Sequence, residues 1–170
     1  MKPAQRDDEI FDVVDEHDRV VSQATRREVH RQGLLHRAVH ILIGNGAGEW
    51  FLQKRSMAKD THPGCWDSSA SGHLDAGEYY LPAAIRECQE ELGICLPSLE
   101  RLFKLPPSSA NGWEFVEVFQ GRHEGPFQLN AAEISDGRWF SPKAITSRIR
   151  MEPQACAGSF IEVWERFLAE

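Results

Sequence analysis

The segment Tyr79 to Leu92 constrains the chain most. Leu81, Ala84, Ile85, Cys88 and Leu92 recur at helical spacing and make one apolar stripe. Pro82 falls in the first turn, where a missing N–H does little harm, and Gly93 stands where a helix C-terminal glycine belongs. A helix with one apolar stripe must lay it against another element. Glu87, Glu90 and Glu91 fall at i, i+3 and i+4 and share one side of that helix. On a wheel of about 100° per residue, Glu87 and Glu91 border the stripe directly and Glu90 lies further round. Repelling carboxylates at the edge of a buried face ask for a cation, and Mg²⁺ or Mn²⁺ takes oxygen ligands of this kind. Taken alone, the three glutamates also fit an exposed, solvated and inert acidic face.

Around this helix the pattern is mixed. Ile10 to Val14 and Arg19 to Ser22 read as a hairpin around Asp15-Glu16-His17-Asp18, and Thr25 with Glu28 forms a capping box for a helix over Arg26 to Gln32. Arg37 to Gly44 and Glu49 to Arg55 are strand-like runs separated by the turn Asn45-Gly46-Ala47-Gly48. Lys59 to Gly64 reads as a loop. Further strands are expected at Leu99 to Leu105, Trp113 to Gly121 and Gly137 to Phe140, a short helix from Ser141-Pro142 to about Ser147, and an amphipathic helix over Pro153 to Ala169. No internal repeat is visible. Several strands, a central helix and a closing helix predict an α/β (α+β) fold with a mixed sheet between helices. The 170 residues, 41% hydrophobic, suit one domain: an N-terminal hairpin and short helix over 1–35 and a catalytic core over 36–170.

The net charge of −7 argues against a nucleic-acid polymer as partner, because phosphate-gripping proteins carry a basic face. The one local basic group, Arg26, Arg27, His30 and Arg31, reads as a solvated helix face. An acidic protein still binds a phosphorylated ligand when metal cations bridge carboxylate to phosphate. No apolar run is long enough to span a membrane, and the start lacks the apolar core of a leader, so a cytoplasmic protein is expected. Cys65, Cys88, Cys95 and Cys156 show no metal-type spacing and are expected to be reduced.

The wider pattern from Gly72 to Ile94 decides between the two readings of the glutamates. It runs Gly72, five residues, Glu78, seven residues, Arg86, Glu87, two residues, Glu90, Glu91, one residue, Gly93 and an apolar Ile94. Chance would produce these seven fixed positions on the order of 10⁻⁸ times per start site, from ordinary residue frequencies. The run resembles the complete Nudix box, and the order of elements resembles the Nudix α/β/α sandwich. The resemblance implies hydrolysis of a small-molecule diphosphate, by default a nucleoside diphosphate derivative, by attack of metal-activated water on phosphorus. It implies Glu87 and Glu91 as main ligands of Mg²⁺ or Mn²⁺, and Glu90 as a further ligand or a base. Ser71, beside Gly72, would offer its carbonyl to the metal. Arg86 and Glu78 would pair to hold the loop on the helix and orient Glu87.

Leu35-His36-Arg37-Ala38, Gln53-Lys54-Arg55, Lys59 with Pro63-Gly64-Cys65-Trp66, and Ser71-Gly72-His73 resemble the isopentenyl-diphosphate-isomerase-like branch. That branch implies a second metal site, for which His30, His36, His73 and Glu114 fall at matching places, with the His30-to-His36 spacing one short. The isomerases carry a catalytic cysteine where this chain has Ser71, and a hydroxyl is a far poorer proton donor than a thiol. Hydrolysis is therefore favoured over isomerisation and over a non-catalytic diphosphate-binding module. Strand alternation puts Glu114 on the face of Val116 and Val118, and Glu117 on that of Phe115 and Phe119, so at least one is partly buried. Glu114 is a candidate base or second-site ligand. His36, Arg55, Lys59, Trp66 and His73 are candidate substrate contacts, with core packing the favoured role for Trp66. His17, His62 and His123 are expected on the surface. A monomer or a homodimer fits equally.

Overall fold

The computed structural model describes residues 5–170. The opening Met-Lys-Pro-Ala, read above for a leader, lies outside them. Strands β1 (Ile10–Val14) and β2 (Val20–Thr25) form the N-terminal hairpin, and α1 (Arg26–Gln32) follows behind the expected capping box. Next come β3 (His36–Gly44), β4 (Trp50–Arg55), β5 (Trp66–Asp67), β6 (Ala70–His73) and α2 (Tyr80–Leu92). The chain closes with β7 (Glu100–Leu105), β8 (Glu114–Arg122), β9 (Ile134–Phe140), α3 (Pro142–Met151), a short 3₁₀ turn and α4 (Gly158–Ala169).

Strand β3 is the axis of a seven-stranded mixed sheet. It runs parallel to β8 over its whole length and antiparallel to β6, while β7 pairs with β8 and both β5 and β9 pair with β4. Its near-continuous apolar run is what a strand buried on both faces requires. Val39, Ile41 and Ile43 pack under Ala83, Ala84, Cys88 and Leu92 of α2. Ala38 and Leu42 face Ile145 of α3 and Phe160, Val163 and Trp164 of α4. The result is the expected sheet between helices.

β3 and β4 share only the pairs Ile43↔Phe51 and Gly44↔Trp50 at their turn. Beyond that the strands part, and the buried polar pair Gln53 and Glu91 sits nearby. At the end of α2, Gly93 adopts φ 67, and its N–H and that of Ile94 reach back to Gln89 and Cys88. This left-handed cap stops the helix one residue after Leu92.

Several expectations need correction. β5 and β6 have no counterpart among the expected strands: each is short, and Ser68, Ser69 and Ser71 carry no strand-like apolar alternation. The segment Pro153 to Ala169 divides, because Cys156 is extended and α4 begins only at Gly158. The basic group on α1 is a solvated face except at Arg26. Arg26 is only 3% exposed and pairs with Asp60 at 2.8 Å, while Arg27 and Arg31 remain open. All four cysteines are unpaired.

Candidate active site

α2 delivers its three glutamates to different depths, as their wheel positions require. Glu91 is 1% exposed and Glu87 7%, whereas Glu90 is open to solvent. The Ser71 backbone N–H donates to Glu91 Oε1 at 2.7 Å, and the Gln53 side-chain amide lies 3.3 Å from Oε2. Burial raises the Glu91 carboxyl well above the ordinary range, and Glu87 adds to the effect. Burial likewise pushes Glu87 up to about 8, with Glu90 and Glu133 adding to the rise and Arg86 opposing it. Two adjacent buried carboxyls without a full countercharge form a site that a hard divalent cation fits.

Arg86 organises this edge. It donates to Glu78 through two nitrogens at 2.8 and 2.9 Å, to Glu87 Oε1 at 2.8 Å, to Glu90 Oε2 at 3.1 Å, and to the His73 carbonyl at 3.0 Å. A planar guanidinium spans four acceptors where an ammonium could not. The loop between β6 and α2 is thereby tied to the helix that bears the carboxylates.

A second cluster lies across β6. The ligand atoms of His30, His36, His73 and Glu114 fall within 4.8 Å of one another. The short His30-to-His36 interval does not keep them apart, because Gly33 turns the chain back at φ 63 and sets the last turn of α1 against the start of β3. His36 Nδ1 lies 2.8 Å from the Leu34 carbonyl, so it is the protonated nitrogen. Its Nε2 is buried without a hydrogen bond, 3.2 Å from Glu114 Oε1, and His73 Nε2 lies 2.7 Å from the same oxygen. Imidazole nitrogens converging on one carboxylate oxygen suit a shared cation, and imidazole with carboxylate is a transition-metal donor set. Burial works to raise the Glu114 carboxyl, but His73 and His36 more than offset this and hold it below its usual value. Desolvation, helped by His73 and Arg26, lowers the His30 imidazole to about 4.

Both clusters border one cleft of about 400 Å³. Ser71, Gly72, His73, Arg86, Glu87, Glu90 and Glu114 line it, with Arg55 and Lys59 at one side. Arg55 is held by Asp67 at 3.0 Å and Lys59 by Glu133 at 3.3 Å. Glu91, Glu78 and His36 stand behind the lining. Trp66 is not brought there: it packs edge-on against Phe140 within the core, which removes it from the candidate substrate contacts.

The cleft also holds residues the sequence reading missed. His40 stands in the apolar run of β3 with Nδ1 2.7 Å from Ser68 Oγ and Asp67 beyond, and burial lowers its pKa. A histidine inside a strand buried on both faces was the available signal. Glu133 and Trp113 carry no comparable local pattern. His62 is exposed as expected but stands on the rim of the cleft.

Buried carboxylates on one helix, held against a glycine loop at the edge of a sandwiched mixed sheet, define a Nudix-type fold and site. The NUDIX domain family matches residues 34–157, and the chain belongs to that family. It is 37% identical over 153 residues to the Nudix hydrolase PA4841 of Pseudomonas aeruginosa, covering 88% of this chain and 89% of that one. It is 30% identical over 177 residues to isopentenyl-diphosphate Delta-isomerase 2 of Photorhabdus laumondii, covering 95% and 99%. The crystal structure of DR0079 from Deinococcus radiodurans superposes with a TM-score of 0.83 at 28% identity, over 93% of this chain and 98% of that one. Among the described residues no helix is long and apolar enough to cross a membrane.

Proposed function

We propose that this Nudix hydrolase cleaves the diphosphate linkage of a nucleoside diphosphate derivative or related small metabolite, with Mg²⁺ or Mn²⁺. The observation that carries the reading is the pair Glu87 and Glu91, buried side by side with only part of their charge answered by Arg86. In this reading Glu87, Glu91 and Glu90, with the Ser71 carbonyl beside Gly72, hold the cation. A bound divalent cation supplies charge neutralisation for the diphosphate and acidifies water.

The remaining roles belong to the chain itself. Arg86 and Glu78 fix the loop and orient Glu87. Glu90, half in solvent, takes a proton or completes the metal shell. Arg55 and Lys59, now paired with Asp67 and Glu133, are placed to exchange those partners for phosphate oxygens. His36, His73 and Glu114, with His30, hold a second cation or contact the substrate. Residues 5–35 act as part of the same catalytic unit, because Phe11 and His30 border the cleft.

Isomerisation of an alkenyl diphosphate is the second reading. The histidine cluster and the 30% identity to an isomerase favour it. The serine at position 71 opposes it, since a hydroxyl is a weak acid for protonating an alkene.

The test is a panel of nucleoside triphosphates, dinucleotides, nucleotide sugars and isopentenyl diphosphate, offered with Mg²⁺ or Mn²⁺ and with a Glu91→Gln control. Metal-dependent cleavage that disappears in the control is the expected result. Rearranged isopentenyl diphosphate without cleavage overturns it, and so does ligand retained unchanged.

A further inference from the structure

Trp113 differs from the other four tryptophans of the chain. Trp66 and Trp164 are buried, and Trp50 and Trp139 pack against Phe167 and Phe51. Trp113 is 47% exposed, borders the cleft, and stacks on no other ring among the described residues. Its backbone φ is 65°, a region that bulky side chains avoid.

The loop leading to it is built to hold that conformation. The Trp113 N–H donates to the Ser108 carbonyl at 2.8 Å. Buried Asn111 accepts from the N–H groups of Ser108 and Glu114 at 2.9 and 3.1 Å and donates to the Pro106 carbonyl at 2.9 Å. Ser108 Oγ ties the loop to Glu162 of α4 at 2.8 Å. Strain that surrounding structure over-determines marks ligand clamps more often than packing sites. The next residue, Glu114, belongs to the histidine cluster, so the loop fixes the indole beside that cluster.

The lining mixes polar Thr61, His62, Ser109 and Ser159 with apolar Phe11, Val29 and Ala110. One open aromatic face beside hydrogen-bonding side chains suits a flat ring with polar edges.

We propose that Trp113 is the stacking platform for the group joined to the diphosphate, and that this group is a nucleobase-like ring. The assignment rests on the diphosphate reading of the cleft. Its test is binding rather than turnover. With Mg²⁺ present, α,β-methylene ADP and α,β-methylene CDP would be titrated against the protein, with methylenediphosphonate as the base-free probe. The wild type should show quenched tryptophan fluorescence with the nucleotides only. Trp113→Ala should bind them about tenfold more weakly, as loss of one base–aromatic stack implies, with base-free affinity unchanged. Trp113→Phe should recover most of the difference at an unchanged melting temperature. Equal losses for all three probes, or none, overturn the proposal. Cleavage absent from every substrate, with nucleotide binding still dependent on Trp113, sinks the hydrolase reading alone. Turnover of a nucleotide by Trp113→Ala at wild-type KM sinks the stacking alone.

Discussion

Gly72 and Glu87 meet with no room for a side chain between them: the Glu87 carboxylate fills the space a Cβ at position 72 would need. The backbone of Gly72 is not left-handed, so the requirement is for space and not for a special conformation. β6 thus approaches α2 closely enough to press the buried carboxylate toward the cleft, with Arg86 closing it from the other side.

Gly72→Ala is expected to displace that carboxylate and leave the fold intact, because only the far end of a side chain must move. A shift of about 1 Å at a metal-holding carboxylate should lower kcat about a hundredfold. Steady-state kinetics beside a thermal melt checks this. Wild-type kcat in the variant would show that Glu87 need not stand where it does.

Metal affinity should rise with pH. In the metal-free protein Glu87 titrates near 8, so below that pH a cation must displace a proton. Calorimetry of Mn²⁺ binding at pH 6.5 and 8.5 should show tighter binding and less proton release at the higher value. The stability consequence has a definite sign. A carboxyl raised above its unfolded value stabilises the protonated fold, and that contribution fades as pH climbs through the folded value. Between about pH 5 and 8 the metal-free protein should therefore melt progressively earlier, and metal should restore it. A flat profile for both contradicts the assignment.

The helix at 80–92, its glutamate depths and the glycine stop were legible because one amphipathic period fixes all three. The Arg86–Glu78 pair was legible as part of the motif. β5 and β6 were not, since they are too short to alternate and are held by their neighbours on β4 and β3. Arg26 was misread because charge spacing on a helix says nothing of Asp60, more than thirty residues away. Trp66 follows the packing role favoured for it over stacking: an aromatic next to a binding motif packs inward when Phe140 waits there. Trp113 and Glu133 reach the cleft only through loop paths that no local pattern encodes.

Arg86→Lys should separate anchoring from folding. Lysine keeps the charge but cannot span Glu78, Glu87 and the His73 carbonyl together. Urea unfolding should show a loss of about 1–2 kcal/mol, the scale of charged hydrogen bonds. Activity should fall further than that loss explains, because Glu87 is no longer oriented.

Glu114→Gln tests the histidine cluster. The amide preserves shape and a hydrogen bond to His73 but removes the charge. Mn²⁺ bound per chain, measured on the purified protein, should fall by one equivalent while the Glu87–Glu91 site still fills. Unchanged stoichiometry would assign the cluster to substrate contact instead.

The most direct test of the central claim is the fate of oxygen from solvent. A substrate from the panel would be turned over with Mg²⁺ in ¹⁸O-labelled water and the products read by mass spectrometry. One ¹⁸O in a single phosphoryl product, and none after Glu91→Gln, is the result predicted for attack of water on phosphorus. Unlabelled products together with rearranged alkenyl diphosphate would contradict it.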